Sequence, residues 1–168
     1  MALQVGIVGG SRENLPSDKV EVIEKVAEQV GFVLAKAGAV VITGGQDGIM
    51  ESAARGAKLG GGVTVGTPGR KRGQCNKYID IEICTPIDVG DYLFAGILSC
   101  DAIVVFPGGA GTFAEVYLAY RNRIPLFVFR GLDAWCDSIL DYPIDQSGKP
   151  APIAVSSVDE CISKIVNL

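Results

Sequence analysis

Short apolar runs alternate with longer amphipathic stretches along this 168-residue chain. The short runs are rich in β-branched residues and apolar throughout, a pattern typical of strands buried on both faces of a parallel sheet. They predict five clear strands and two weaker candidates, Ile79–Cys84 and Ile153–Val155. The five clear strands are Gln4–Val8, Val40–Thr43, Val63–Gly66, Ala102–Phe106 and Leu126–Phe129.

Helices are predicted between these strands. Apolar residues between Val22 and Ala37 recur at three- and four-residue spacing, which indicates an amphipathic helix of about 20 residues. Asp18 is expected to cap its start and Gly38 its end. The other predicted helices are Asp47–Leu59, Asp88–Ser99, Thr112–Asn122 and Ser157–Val166, with Ser157 and Glu160 as a capping box for the last.

Strands that alternate with helices predict an α/β fold, a single Rossmann-like, doubly wound and mainly parallel sheet flanked by helices. At 17.6 kDa the chain has the size of one ordinary domain, and it contains no internal repeat or break in composition. Residues 1–168 are therefore predicted to form a single ligand-binding domain. Ligands bind such folds beyond the carboxyl ends of the strands, where the strand order reverses.

Glycine-rich turns follow three of the predicted strands and are the candidate ligand-binding segments. Glycine lets a ligand approach the backbone closely because no β-carbon intervenes. The candidate ligand- or phosphate-binding residues are Gly9, Gly10, Ser11, Arg12, Thr43, Gly44, Gly45, Gly48, Pro107, Gly108, Gly109, Ala110, Gly111, Thr112 and Glu115.

The strongest of these segments is Pro107–Glu115, which follows a buried strand and opens a helix. The free N–H groups of a helix start, together with the positive end of its dipole, favour a phosphate. Thr112 could donate its hydroxyl to the same anion. The alternative is a structural turn in which Thr112 and Glu115 form a capping box.

The two other segments carry weaker signals. In the second turn, Asp47 is expected to cap the following helix, and Met50 is expected to lie in the core. In the first turn, Ser11 and Arg12 could hold a phosphate or a carboxylate. Arg70, Lys71, Arg72 and Lys77 form a basic cluster that could close over an anion or could simply be a solvated loop.

A dinucleotide-binding fingerprint is a weaker hypothesis. Gly109–Ala114 formally fits the pattern GxGxxA, and Asp133 follows about 20 residues later. However, that fingerprint usually belongs to the first βαβ unit, whose turn here, Gly6–Gly10, has the wrong spacing. A nicotinamide-dependent oxidoreductase is therefore kept only as a third possibility.

Composition excludes several other classes of site and of binding partner. The chain has no histidine, so histidine-based triads and imidazole–zinc sites are excluded, and acid–base chemistry must use other side chains. Its five cysteines include no CxxC pair, so we expect reduced thiols, no metal site and a cytoplasmic location. The net charge of −4 argues against binding to nucleic acid, and no apolar run is long enough to span a membrane.

Two of the glycine segments together carry a family resemblance. Thr43–Met50 and Pro107–Glu115 resemble the paired GGxxGxM and PGGxGTxxE motifs of the Lonely guy (LOG) and molybdenum-cofactor carrier superfamily. These proteins were formerly described as possible lysine decarboxylases. The similar layout runs from about Val5 to Pro125. The resemblance implies a doubly wound fold, a phosphorylated ligand and a homo-oligomer, either a dimer or a tetramer.

The resemblance also implies two alternative activities. LOG enzymes release the free base from a nucleoside 5′-monophosphate, and their motif glutamate falls on Glu115. Their partner arginine falls on Tyr92, and the segment Asp88–Cys100 contains neither Arg nor Lys. This departure favours the molybdenum-cofactor carrier branch, which the chain also resembles in its short length.

The leading hypothesis is therefore a binding or carrier protein for a phosphorylated, nucleotide-like ligand. It would need no cofactor of its own, and the molybdenum cofactor would be its cargo. The alternative is a phosphoribohydrolase that uses Glu115. Apolar side chains on two predicted helices suggest either a subunit interface or packing on the sheet; they are Tyr92, Leu93, Phe94, Tyr117 and Tyr120.

Overall fold

The computed structural model describes residues 1–85 and 96–168. Within these ranges, seven strands form one sheet in which every neighbouring pair is parallel. The strands are β1 (Gln4–Val8), β2 (Val40–Thr43), β3 (Thr64–Gly66), β4 (Ile81–Glu82), β5 (Ala102–Val105), β6 (Leu126–Phe129) and β7 (Ile153–Val155). The α-helices of the same ranges are α1 (Val20–Lys36), α2 (Ile49–Leu59), α3 (Ala110–Arg121), α4 (Ala134–Asp141) and α5 (Val158–Val166).

The strand order is β4-β3-β2-β1-β5-β6-β7. The chain runs outward from β1 to β4 and then returns to the other side of β1 to build β5, β6 and β7. The strand order therefore reverses between β1 and β5, and the crevice of a doubly wound sheet opens at that point. This arrangement confirms the predicted α/β, Rossmann-like fold.

Two apolar clusters pack against the sheet. Val104 and Phe127 lie in the cluster that includes α1, α2 and α5, whereas Ile103 and Val128 lie in the one that includes α3 and α4. Successive side chains of a strand point to opposite faces, so each strand contributes to both clusters. This double burial explains why the strands read as continuous apolar runs.

Two helix ends lie where local sequence signals predicted them, at Gly38 and at Ser157. Gly38 has a φ of +80°, its N–H donates to the Ala35 carbonyl at 3.0 Å, and the Ala39 N–H donates to the Leu34 carbonyl at 3.0 Å. This pair of bonds is a Schellman motif and confirms Gly38 as the C-terminal stop of α1. Ser157 Oγ accepts the Glu160 N–H at 3.2 Å, which confirms Ser157 as the N-cap of α5. The other half of the predicted capping box differs, since the Glu160 carboxylate accepts the N–H of Ser156, at 2.8 Å, rather than that of Ser157.

Two other predicted caps are wrong, and the capping box considered as an alternative at the start of α3 does not form. Lys19, rather than Asp18, is the N-cap of α1, and it makes no side-chain capping bond. Gly48, rather than Asp47, is the N-cap of α2, with a φ of +64° that favours glycine. Gly109 is the N-cap of α3, so Thr112 and Glu115 lie inside the helix and form no capping box.

Helix α4 is absent from the sequence prediction because it has only 8 residues. Its N-cap is Asp133, whose carboxylate accepts the Cys136 N–H at 2.7 Å. This bond gives Asp133 a structural role and removes the acidic residue on which the dinucleotide fingerprint depended. Of the predicted helix Asp88–Ser99, residues 88–95 lie outside the described ranges, and Ile97–Ser99 form a short 3₁₀ helix.

Candidate ligand-binding site at the switch point

The loops that follow β1 and β5 meet where the strand order reverses. The Gly10 N–H donates to the Pro107 carbonyl at 2.8 Å, and the Gly10 carbonyl accepts the Ile49 N–H at 3.2 Å. A β-carbon at Gly108 would lie 2.2 Å from Thr112 Oγ1 and 2.6 Å from the Gly10 nitrogen. Glycine is therefore required at position 108, and these contacts fix the two loops and the start of α2 together.

A cavity of about 220 Å³ opens between these segments. It is lined by residues from the loop after β1, the turn after β2 and the first two turns of α3. The predicted site residues that line it are Gly9, Gly10, Ser11, Gly44, Gly109, Ala110, Gly111, Thr112 and Glu115. The three glycine segments are thus brought together as expected for the end of a doubly wound sheet.

The start of α3 presents backbone donors to this cavity. Gly109 caps the helix without a side-chain bond, and the Phe113 N–H donates to the Gly109 carbonyl at 3.1 Å. The N–H groups of Ala110, Gly111 and Thr112 make no hydrogen bond within residues 1–85 and 96–168. Free donors at the positive end of a helix dipole form an anion-binding site.

Glu115 lies one turn further along α3 and lines the same cavity. Its carboxyl group has no hydrogen bond or ion pair in the part of the chain that the structure describes. Burial raises the pKa of this carboxyl to about 8. At pH 7 most of the group is therefore protonated, so it can donate a hydrogen bond to a ligand as well as accept one.

Six predicted site residues do not line the cavity, but several of them hold the lining segments in place. Thr43 Oγ1 accepts the Gly45 N–H at 3.0 Å and holds the turn after β2. A β-carbon at Gly48 would lie 2.6 Å from both the Arg12 nitrogen and the Gly10 carbonyl oxygen, so this glycine allows α2 to approach the first loop. The six are Arg12, Thr43, Gly45, Gly48, Pro107 and Gly108.

Arg12 lies beside the site, but its guanidinium group faces away from it. The Arg12 side chain is 62% exposed and lies 3.6 Å from the carboxylate of Glu24 on α1. In this arrangement Arg12 pairs within the protein. The described residues that line the cavity include no basic side chain, so backbone N–H groups supply its positive potential.

Three lining residues were not among the predicted site residues: Asn14, Gln46 and Met50. Asn14 belongs to a three-residue 3₁₀ helix and donates to Ser11 Oγ at 2.8 Å; no hydrophobic periodicity reveals so short an element. Gln46 lies inside the recognised turn and could have been included for that reason. Met50 was predicted to be core, but it lies in the first turn of α2, which faces the cavity.

The basic cluster lies outside this cavity. Its loop is held by Glu82, whose carboxylate accepts the Gly73 N–H at 2.6 Å and the Cys75 N–H at 3.1 Å. These bonds lower the pKa of Glu82. The Lys77 ammonium lies 5.2 Å from the centre of the Tyr78 ring. A role for the cluster over a bound anion stays a prediction.

A larger groove of about 990 Å³ lies elsewhere, beside α1 and the start of α5. It is lined by residues such as Phe32, Leu59 and Val158, and none of the glycine turns reaches it. Size alone would favour this groove. The smaller cavity is the better candidate because it lies at the switch point and contains free backbone donors and an unpaired carboxyl group.

A family model matches this architecture along almost the whole chain, from residue 2 to residue 162. The chain belongs to the SLOG cluster4 family. An uncharacterised protein of Archaeoglobus fulgidus is 36% identical over 121 residues, which cover 71% of this chain and 75% of that protein.

Two solved structures share the fold. The molybdenum cofactor carrier protein MCP of Chlamydomonas reinhardtii has a TM-score of 0.83 at 24% identity, covering 99% of this chain and 98% of that one. The molybdenum cofactor binding protein of the phototrophic bacterium Rippkaea orientalis has a TM-score of 0.80 at 27% identity, covering 99% and 97%. This member of the SLOG cluster4 family therefore has structural neighbours among small-molecule binding proteins.

Three further properties of the described residues concern membrane-spanning helices, cysteines and metal ligands. None of their helices has the length and hydropathy needed to cross a membrane. Cys100, Cys136 and Cys161 are buried, as expected for small apolar side chains, whereas Cys84 is exposed. Within the same ranges, no group of three or more cysteine, aspartate or glutamate residues is placed to hold a metal ion.

Proposed function

We propose that this protein binds and carries a phosphorylated, nucleotide-like small molecule without turning it over, and that the molybdenum cofactor is its cargo. The observation that carries the proposal is the start of α3, where three backbone N–H groups lack acceptors among the described residues and open into the cavity. A phosphate bound there would accept these hydrogen bonds and interact favourably with the helix dipole.

The polar groups of the cavity suit the phosphate end of such a cargo. The cofactor's organic part carries a phosphate and a fused, nitrogen-rich ring. The phosphate would bind at the start of α3, and the protonated Glu115 carboxyl could hydrogen-bond to neighbouring polar atoms. The cavity contains no thiol among its described lining residues, and the chain has no histidine. The protein would therefore hold the organic part rather than the metal.

The Rippkaea orientalis structure adds independent support, since it is a molybdenum cofactor binding protein at 27% identity over nearly the full length of both chains.

A homo-oligomer, a cytoplasmic location and the absence of nucleic-acid partners belong to the same proposal. The exposed ring of Tyr117 on α3 is a candidate contact between subunits. Tyr120 is not, because it is buried and donates to Asp145 at 2.9 Å. Tyr92, Leu93 and Phe94 lie outside the described residues.

A second candidate function is hydrolysis of a nucleoside 5′-monophosphate to the free base. The position of Glu115 in the switch-point cavity favours it, because a carboxylate there could stabilise the positive charge that develops on ribose. Two observations count against it. Burial raises the pKa of Glu115 to about 8, which leaves the group mostly neutral at pH 7, and the described lining residues include no cation to ionise it.

Chromatography of free base separates the two functions. Purified protein is incubated with AMP and GMP, and binding of the same nucleotides is measured by calorimetry. The carrier function predicts binding with no release of base above the protein-free control. Release that disappears in Glu115→Gln, while nucleotide binding persists, would establish the hydrolase instead.

A further inference from the structure

A second pocket of about 470 Å³, wide open to solvent and called the second chamber below, lies beside the switch-point cavity. The two chambers share Ser11 and Gln46 as lining residues, so they adjoin along the turn after β2. The remaining lining residues of the second chamber come from the first loop, from that turn and from the loop between β3 and β4. They are Glu13, Asp47, Gln74, Cys75 and Asn76.

Asn76 holds the far wall of the second chamber in place. Its backbone N–H donates to the Gly45 carbonyl at 2.7 Å, and its side-chain amide donates to the carbonyls of Gly45 and Gln46 at 3.0 and 2.8 Å. The bonds from Gly73 and Cys75 to Glu82 fix the same loop from the other side. The chamber is therefore built by specific contacts.

The side chains of the second chamber favour hydrogen-bond donors. Burial raises the pKa of the Cys75 thiol to about 12, so this thiol is uncharged at neutral pH. The amides of Gln46 and Gln74 make no hydrogen bond within the described ranges, and Asp47 and Glu13 add carboxylates. No described lining residue is basic and two carboxylates line the chamber, so its own side chains disfavour an anionic group.

We infer that the second chamber receives the heterocycle of the ligand and that Asp47, with Gln46 and Gln74, recognises an edge carrying adjacent N–H and NH₂ donors. This inference rests on the proposed function, which places the phosphate at the start of α3. Guanine and pterin share such an edge, and a carboxylate can accept both of its donors at once. Adenine lacks it, because its amino group adjoins an acceptor nitrogen.

Binding of three nucleotides tests the assignment. The dissociation constants of GMP, IMP and AMP are measured by calorimetry on the full chain, with ribose 5-phosphate as the probe for the phosphate site. We expect GMP to bind about tenfold more tightly than AMP, with IMP between them, since a charge-assisted hydrogen bond contributes more than a neutral one.

Asp47→Asn is the decisive variant, and Asp18→Asn is its control because Asp18 is also exposed but lies outside both chambers. Asp47→Asn should weaken the binding of GMP about tenfold and leave the affinity for ribose 5-phosphate unchanged, because only the donor-bearing edge contacts the carboxylate. Asp18→Asn should change neither dissociation constant.

Two different failures can be told apart. Any one of three results would overturn the assignment of this chamber. They are equal affinities for GMP and AMP, an unchanged GMP affinity in Asp47→Asn, and no GMP binding while ribose 5-phosphate still binds. Failure of ribose 5-phosphate and all three nucleotides to bind would instead overturn the proposed function on which it rests.

Discussion

The carboxyl of Glu115 lies in the cavity beside the start of α3 without a partner among the described residues. In a folded protein such a group carries an energetic cost, because burial disfavours its charged form. The cost is consistent with a functional role, since an apolar side chain at this position would avoid it. Because burial raises the pKa of Glu115, this energetic cost depends on pH.

Glu115→Gln should stabilise the protein at high pH. The unfolded carboxyl ionises near pH 4.5, whereas the folded one ionises near pH 8, so the unfolded state releases its proton first. Wild-type stability therefore falls, relative to the variant, as pH rises from about 4.5 to 8. Above pH 8 the variant should gain about 4–5 kcal/mol over its difference at pH 4, at about 1.4 kcal/mol for each pKa unit between 4.5 and 8.

Urea unfolding of both proteins at pH 4, 7 and 9 measures this gain as a change in the free energy of unfolding. Other titrating groups are common to the two chains and cancel in the difference. A difference that is the same at all three pH values would show that Glu115 keeps an ordinary pKa in the folded protein.

Glu115 should also make phosphate binding depend on pH. Above pH 8 the carboxyl becomes charged beside the bound anion. The repulsion should weaken the binding of ribose 5-phosphate by about tenfold between pH 7 and pH 9. Phosphate is already mostly ionised across this range. Calorimetry should find the decline in the wild-type protein and not in Glu115→Gln; an equal decline in both would assign it to another group.

At the scale of single elements, the site depends on close contact between the loops after β1 and β5. A β-carbon at Gly108 would overlap both Thr112 and the Gly10 backbone. Gly108→Ala should therefore lower the free energy of unfolding by about 1–3 kcal/mol, because the two loops must move apart. Denaturant unfolding measures the loss, and wild-type stability in this variant would contradict the close packing described for the loops.

Local signals predicted elements well where the residue itself fixes the backbone. Gly38 and Ser157 were recognised because an αL glycine and a serine cap act within one turn of a helix. The cap predicted at Asp47 failed for a different reason. Gly48 begins α2 because the helix packs on the first loop, and a contact between distant segments leaves no local sequence pattern.

At the scale of the whole molecule, the strand order decides which loops form the site. Alternating strands and helices predicted the doubly wound class, but only the pairing of β1 with β5 identifies the switch point. That pairing joins residues about a hundred positions apart and cannot be read from periodicity. It explains why the glycine segments were found from sequence, whereas Asn14 and the second chamber were not.

The architecture also assigns different roles to glycines that look alike in the sequence. Gly108 and Gly48 allow segments to approach each other, whereas Gly109 faces the cavity. The three described atoms nearest to a β-carbon at Gly109 belong to Asn14, at 3.4 Å or more, and the φ of −97° at this position suits any residue. A side chain at position 109 should therefore obstruct the ligand without disturbing the fold.

The most direct test of the account is calorimetric binding of ribose 5-phosphate to wild-type protein and to Gly109→Val. The account predicts that the variant unfolds at nearly the wild-type denaturant concentration and binds the probe at least about tenfold more weakly, because the valine side chain blocks the N–H groups of α3. Wild-type affinity in a correctly folded Gly109→Val variant would contradict a phosphate site at the start of this helix.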